Sequence, residues 1–319
     1  MTELLFVVND LATLKPDQST AGLMAEAEAQ GAHTWVCDDR AFACTPSGIA
    51  VACRRWPGGA PATAVPALRA ADPVERPADS FSHVWVRTNP GRATHTSDAW
   101  LQLLFQVADA GVVVRNAPSG LLRASSKLHL SSLPAGTVPP TWSSDDPARL
   151  GRYLDELGGP AVVKPALGTR GSGVVRLSPD HPDREALLEA ATASGPALLQ
   201  GYLTAAPEGD VRIHVVDGAL LELDGRACAV RRIPGPGEWR SNVFLGGSPA
   251  RAELGEAHRA LVARVGPLLR DQGLWHVGLD VVGNHVVECN VYSPGGLGDA
   301  ERFAERPFTA ELVQRFLAD

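Results

Sequence analysis

The chain is poor in cysteine, and none of it is arranged as zinc ribbons or redox motifs require. Cys37, Cys44, Cys53, Cys228 and Cys289 contain no C-x-x-C pair, so neither a zinc site nor a disulfide framework is expected. Their odd number, with no leader ahead of them, fits reduced thiols and a cytoplasmic location. The opening MTELLFVVNDLATLK has an apolar run too short for a signal peptide and lacks its basic start. No run approaches the length of a membrane helix, so no membrane partner is expected. A basic stripe is also missing: the net charge is -7, which argues against a nucleic-acid surface and requires any bound anion to be met locally. The nine histidines lack metal-ligand spacing, and His214 and His276 read as core or edge residues. There is no internal repeat and no convincing serine–histidine pair.

What is present is ordinary globular composition, 45% hydrophobic and 20% charged, over 319 residues, enough for two or three packed subdomains around a cleft. Residues 3–8 read as a buried strand, 20–30 as a helix and 33–37 as a second strand, a βαβ opening. A hairpin over 41–45 and 49–54 follows. The Pro/Ala-rich run 56–79 reads as a loop or edge segment. A strand at 82–87, a helix at 97–110 and a strand at 112–115 close a first domain over 1–120. A helix from Pro118 is expected to carry Lys127, and TVPPTW to cross in extended form into a second domain, 121–200. That unit has helices at 146–157 and 183–193 and strands at 161–164, 174–177 and 197–200, small enough to act as a lid. The third domain, 201–319, is strand-rich, with a long helix at 253–271 and a terminal helix. Its glycine-rich stretch 233–251 reads as a mobile cover.

Two stretches carry chemistry. In GLDVVGNHVVECNVYSPGG, residues 278–296, side-chain alternation puts Glu288 and Asn290 on one face of a strand, and Val287 and Cys289 on the other. Asp280 faces Glu288 across a hairpin only if the turn holds an odd number of residues, which predicts a three-residue loop, Gly283-Asn284-His285. Leu279, Val281, Val287 and Val291 then cover the opposite face. Two carboxylates and an amide are the hard oxygen donors that magnesium favours. A half-buried hairpin with solvated acids is the alternative.

In AVVKPALGTRGSGVVRL, residues 161–177, Lys164 ends a β-branched strand, and Gly168, Gly171 and Gly173 flank Ser172 in a turn between strands. Glycines there allow positive φ and close backbone approach, making an anion-binding nest beside a lysine. The loop is neither a P-loop, having no terminal Lys-Ser or Lys-Thr, nor a dinucleotide fingerprint, since it joins strands. A plain glycine hairpin turn is the alternative.

The order of Lys127, Lys164, the glycine loop, LLQGYL (198–203), GDVRIHVVDG (209–218), AVRRIP (229–234) and the acid hairpin resembles the ATP-grasp ligases. Together with VVNDLATLKPDQST and VRTNP, it is similar to the bacterial glutathione synthetase family across almost the whole chain. The resemblance implies an α/β (α+β) ATP-grasp fold with a βαβ-type N-terminal domain, a small central lid and a β-rich C-terminal domain. It implies that Lys127 and Lys164 contact nucleotide phosphates under a loop closed by Gly168, Gly171, Ser172 and Gly173. Gln200, Tyr202 and Leu203 would meet the adenine, and Asp210 the ribose. Arg212 and Arg232 would face the γ-phosphate and an acyl phosphate, with Asn242 in the mobile loop. Asp280, Glu288 and Asn290 would hold two Mg2+ ions, or Mn2+.

ATP would convert a peptide carboxylate, γ-glutamylcysteine in that family, to an acyl phosphate that an amine, glycine, attacks. Arg87 and Asn89, with Ser293, Gly295 and Gly296 after the hairpin, would bind the peptide in a homo-oligomer, dimer or tetramer. Two departures touch this pocket. The family usually carries an acidic residue and a hydrophobic one just after the arginine, where this chain has Thr88-Asn89-Pro90, and Val-Tyr-Ser-Pro-Gly-Gly follows Asn290 in place of the more familiar Thr-Ser-Pro-Thr. A ligase of the same family with another acid or amine is therefore an alternative, and a non-catalytic ATP-binding regulatory protein is another. Arg212 and Arg232 sit in strands, where arginine is a poor filler, which favours function over a structural ion pair; Arg231 reads as the structural one.

Overall fold

The computed structural model describes residues 2–89, 99–168, 171–241 and 246–318. The first sheet contains β1 (Glu3–Val8), β2 (His33–Asp38), β3 (Phe42–Thr45), β4 (Gly48–Arg55), β5 (Val74–Pro77), β6 (His83–Val86) and β7 (Val113–Arg115). Its order is β3-β4-β2-β1-β6-β7, with β5 on β4, and β2, β1, β6 and β7 run parallel. Parallel strands covered on both faces read as unbroken apolar runs, and Leu4, Leu5, Phe6 and Val7 are fully buried. Strand order reverses on either side of β1, so the carboxyl ends of β1 and β6, which lead to Asn9 and Arg87, flank a switch-point crevice. The helices are α1 (Ser19–Ala29), α2 (Pro61–Ala70), α3 (Ala99–Asp109) and α4 (Pro118–Arg123).

The central sheet, β8 (Thr141–Ser144), β9 (Ala161–Pro165), β10 (Val175–Leu177) and β11 (Ala197–Gly201), has the order β10-β9-β11-β8 and is antiparallel throughout. Helices α5 (Pro147–Leu157) and α6 (Arg184–Thr192) bury Leu150, Leu154 and Leu188 against it. The Asp146 carboxylate caps the Ala148 amide, Pro147 begins α5 and Gly158 ends it in the left-handed region, which is why the helix bounds follow from sequence.

The last sheet contains β12 (Asp210–Val216), β13 (Ala219–Leu220), β16 (Ala229–Ile233), β17 (Ser248–Arg251), β18 (His276–Val282) and β19 (His285–Asn290); between β13 and β16 lies the small ribbon of β14 (Glu222–Leu223) and β15 (Arg226–Ala227). The order is β17-β16-β12-β18-β19, with α7 (Glu256–Asp271) packed against it. Helices α8 (Leu297–Ala304) and α9 (Phe308–Ala318) return to the first sheet, where Phe316 stacks on Trp85 at 4.1 Å.

Several expectations change. The Pro/Ala run 56–79, expected as a loop or edge segment, does carry β5 against β4, but α2 also forms within it on Ala64, Val65 and Leu68, with Pro61 at its start and Pro66 removing one intrahelical bond. The end of TVPPTW forms β8, and the glycine-rich stretch 233–251 ends in β17, paired to β16. Lys127 is not on the helix from Pro118 but opens a 3-10 turn, Lys127–Ser132, capped by Ser126. The chain ends in two helices rather than one. The acid hairpin turns in two residues, Gly283 and Asn284, with Val282 opposite His285 and Gly283 at a φ of +56°. Asp280 nevertheless pairs with Glu288, because the register shifts by one between Asp280 and Val281 and makes Val287 the extra residue of a β-bulge. Val287 consequently lines a cavity, while Leu279, Val281 and Val291 are in the core.

Candidate active site

A cavity of about 310 Å³ lies between the central and last sheets, within the size range of small-molecule sites. Cross-strand register builds one wall. Arg212 lies opposite Asp280, and Asp210 opposite Arg232, so both acid–base pairs meet on one sheet face. Arg212 Nε and Nη2 donate to the two Asp280 oxygens at 2.7 Å. Arg232 Nε and Nη2 donate to Asp210 at 2.7 and 2.6 Å, and Nη2 also lies 2.7 Å from Asp280 Oδ2. Burial opposes the charge on Asp280, but the two guanidiniums outweigh it and hold the carboxyl well below the ordinary range. Asp210 moves the other way: burial and the neighbouring Asp280 charge raise it, against Arg232. Ser241 Oγ also donates to Asp210, so both carboxylate oxygens assigned to a ribose are engaged within the protein.

Glu288 and Asn290 project from β19 into the same cavity. Lys127 Nζ lies 3.7 Å from Glu288 and donates to the Gly168 carbonyl at 2.6 Å. Lys164 is buried and donates to the bulged Val287 carbonyl at 2.9 Å. Gly168, Gly171 and Gly173 all take positive φ, as a nest of backbone amides needs, and Gly168, Gly171 and Ser172 line the cavity. Gln200, Tyr202 and Leu203 complete it, and Gln200 Nε2 donates to Thr141 Oγ1. Asn242 lies outside the described residues.

Among the described residues no three His, Cys, Asp or Glu side chains converge on a point; Asp280 and Glu288 line the cavity together with the Asn290 amide. Its Nδ2 donates to the Gly278 carbonyl at 3.3 Å. Neither cysteine nor histidine is among the described lining residues, and Cys289 packs toward the core. These are hard oxygen donors, which suit magnesium.

The expected peptide-binding residues are less gathered. Asn89 lines the cavity; Arg87 is buried and is not among the described lining residues. Arg87 Nε donates to Thr20 Oγ1 and Nη2 to the Pro294 carbonyl, while Nη1 has no partner among the described residues, and burial alone pushes its pKa down to about 9. Gly295 receives a long 3.5 Å contact from Arg212, Gly296 precedes α8 at a φ of +93°, and Ser293 is half-buried. Arg231 instead contacts the Glu208 carbonyl at the surface, and His214 and His276 are core residues in contact with each other.

Sequence reasoning missed Glu238, Trp239, Arg240 and Ser241. Arg240 Nη1 reaches the Gly171 and Val174 carbonyls at 3.3 and 3.4 Å, while Glu238 grips the same guanidinium, so the loop after β16 is tied to the glycine loop. The available signal was a glutamate and an arginine two residues apart in a glycine-rich loop.

Burial pushes Lys164 down to about 8, with Glu288 opposing and Lys127 reinforcing the shift. A phosphate placed beside it favours the ammonium, so nucleotide binding near pH 8 is expected to take up protons. Calorimetric titration with ADP in buffers of different ionisation enthalpy measures this. Lys164→Met is expected to abolish the buffer dependence, and equal heats with the wild-type protein would contradict the assignment.

The solved structures that the chain resembles include ATP-grasp ligases. The chain superposes on the D-cycloserine synthetase DcsG at a TM-score of 0.66 and 19% identity, covering 98% of this chain and 99% of that one. It superposes on the ATP-grasp ligase PsnB, complexed with a minimal precursor, at 0.63 and 18% identity, over 100% and 99%. These likenesses make the fold ATP-grasp, and its family matches make the chain an ATP-dependent carboxylate–amine ligase. Family models for the prokaryotic glutathione synthetase N-terminal domain and ATP-grasp domain match residues 2–122 and 126–305, and the chain belongs to that family. It is 34% identical to the glutathione synthetase of Parasynechococcus marenigrum (strain WH8102) over 98% of this chain and 97% of the relative. Identity to that of Synechococcus elongatus (strain ATCC 33912 / PCC 7942 / FACHB-805) is 32%, over 94% and 93%. No helix among the described residues is long and apolar enough to cross a membrane.

Proposed function

We propose that the protein is a glutathione synthase, using ATP and Mg2+ to join the cysteinyl carboxylate of γ-glutamylcysteine to the amine of glycine, with release of ADP and phosphate. The observation that supports this reading best is the convergence of Lys127, Lys164, Arg212 and Arg232 with Asp280, Glu288 and Asn290 in one cavity without a nucleophilic pair. A carboxylate is a poor electrophile, and phosphoryl transfer needs positioning and charge neutralisation more than covalent help. Lys164 and Lys127 hold the phosphate tail beneath the glycine-loop amides. Arg212 and Arg232 face the transferring phosphoryl group and the acyl phosphate it forms. Asp280, Glu288 and Asn290 hold two magnesium ions, replaceable by manganese, which when bound neutralise phosphate charge. The amine then attacks the acyl carbon and phosphate leaves. Arg240 and Ser241 hold the loop after β16 over the cavity, which keeps water from the acyl phosphate.

Arg87 anchors a substrate carboxylate, since it is a buried guanidinium whose Nη1, among the described residues, has no partner and which pairs with no carboxylate there. Arg87→Met is expected to raise the KM for the acid substrate on the order of a hundredfold, with little change in that for ATP. The thermal midpoint should hold or rise, because an unpaired buried charge is removed. An unchanged acid KM would contradict the role.

Neutral Asn89 in the cavity wall, where the family usually has acid nearby, favours a second reading in which the same chemistry serves another acid or amine. Phosphate release measured over a panel of acids and amines separates them: γ-glutamylcysteine with glycine gives the highest kcat/KM under the first reading, and a different pair under the second. No release with any pair would contradict both.

A further inference from the structure

Trp239 is an aromatic side chain that the core does not require. It lines the cavity, is only half-buried, and belongs to none of the three hydrophobic clusters. Its ring meets that of Tyr202 nearly edge-on, with centroids 5.9 Å apart at 73°. The Tyr202 ring is also covered by the Arg176 guanidinium, whose Cζ lies 4.1 Å from its centroid. Three separate elements therefore meet here: β10, the segment leaving β11, and the loop after β16.

The backbone on either side of the indole is pinned. Glu238 Oε1 accepts from the Trp239 and Arg240 amides at 2.9 and 3.0 Å, and the Ser241 hydroxyl donates to Asp210. A ring with two torsions on a fixed backbone loses little entropy when it covers a flat ligand. The same cavity is lined by Val162, Val174, Leu203 and Ala206, apolar surface suited to a planar heteroaromatic face.

We propose that Trp239 covers the nucleobase and selects purine over pyrimidine nucleotides, a role that rests on the nucleotide reading above. The larger purine face gains more from stacking than a pyrimidine face does.

The test uses Trp239→Phe and Trp239→Ala in the full chain. ADP is expected to quench tryptophan fluorescence in the wild-type protein, and the Phe variant to lose most of that quench while still binding ADP. In the Ala variant the KM for ATP should rise about tenfold, by more than kcat falls, and the preference for ATP over CTP should narrow; Phe should restore both. A folded Ala variant with an unchanged KM and an unchanged ATP-to-CTP ratio overturns the proposal, as does a merely lowered thermal midpoint with those parameters intact. ADP binding without a quench overturns this inference alone. Wild-type protein that does not bind ADP overturns the nucleotide reading and this inference with it.

Discussion

Glu288→Gln is expected to leave the fold intact and reduce turnover by about a thousandfold or more. The side chain is 37% exposed, and its ion pair is the 3.7 Å contact with Lys127. A partly solvated pair of that kind contributes less than about 1 kcal/mol, so an isosteric amide should barely move the thermal midpoint. What the substitution removes is a negative oxygen donor in the cavity wall, opposite Asp280 across the ribbon. Phosphate release and a thermal melt on one preparation check both halves. A variant that keeps most of its activity would rule out the metal-holding role, and one that loses activity only because it unfolds would leave Glu288 as a structural residue.

Asp280→Asn is expected to behave differently, losing activity and stability together. Asp280 is buried and accepts from two guanidiniums, of which Arg232 retains Asp210 but Arg212 has no second carboxylate among the described residues. Breaking a buried pair by neutralising one partner costs about 3–5 kcal/mol, which lowers the midpoint on the order of 5–10 °C. The pH dependence follows from the depressed folded-state value of Asp280. Its contribution is fully present above the unfolded carboxyl value of about 4, and is lost only as pH falls through the lower folded value. The wild-type advantage over Asp280→Asn should therefore be the same at pH 7 and at pH 5 in urea titrations. An advantage that disappeared already at pH 5 would contradict the clamp of two arginines.

These two carboxylates also show what was legible in sequence. Side-chain alternation placed Glu288 with Asn290 and opposite Asp280, and the strands pair that way. Parity was right about the facing and wrong about the turn, because a bulge at Val287 compensates for a two-residue loop, and a bulge leaves no mark in an apolar run of valines. Helix α5 was readable at both ends from Asp146, Pro147 and Gly158, whereas α2 was hidden by Pro66 within it. Arg212 and Arg232 could be singled out because arginine is a poor strand filler, but the bidentate pairing of Arg232 with Asp210 depends on β12–β16 register, which no local pattern encodes. Trp239 and Arg240 were missed for a related reason. A polar glycine-rich loop has no period, so which of its side chains turns inward is decided only by what it meets, here Tyr202 and the carbonyls of the glycine loop.

The central claim is that this cavity activates a carboxylate by transferring the terminal phosphoryl group of ATP to it. Isotope transfer tests this most directly: the acid substrate is labelled with 18O in its reacting carboxylate, turned over with ATP and the amine, and the released phosphate is analysed by mass. Each phosphate is expected to carry one 18O atom from the acid. Unlabelled phosphate, or 18O found in AMP, would contradict it.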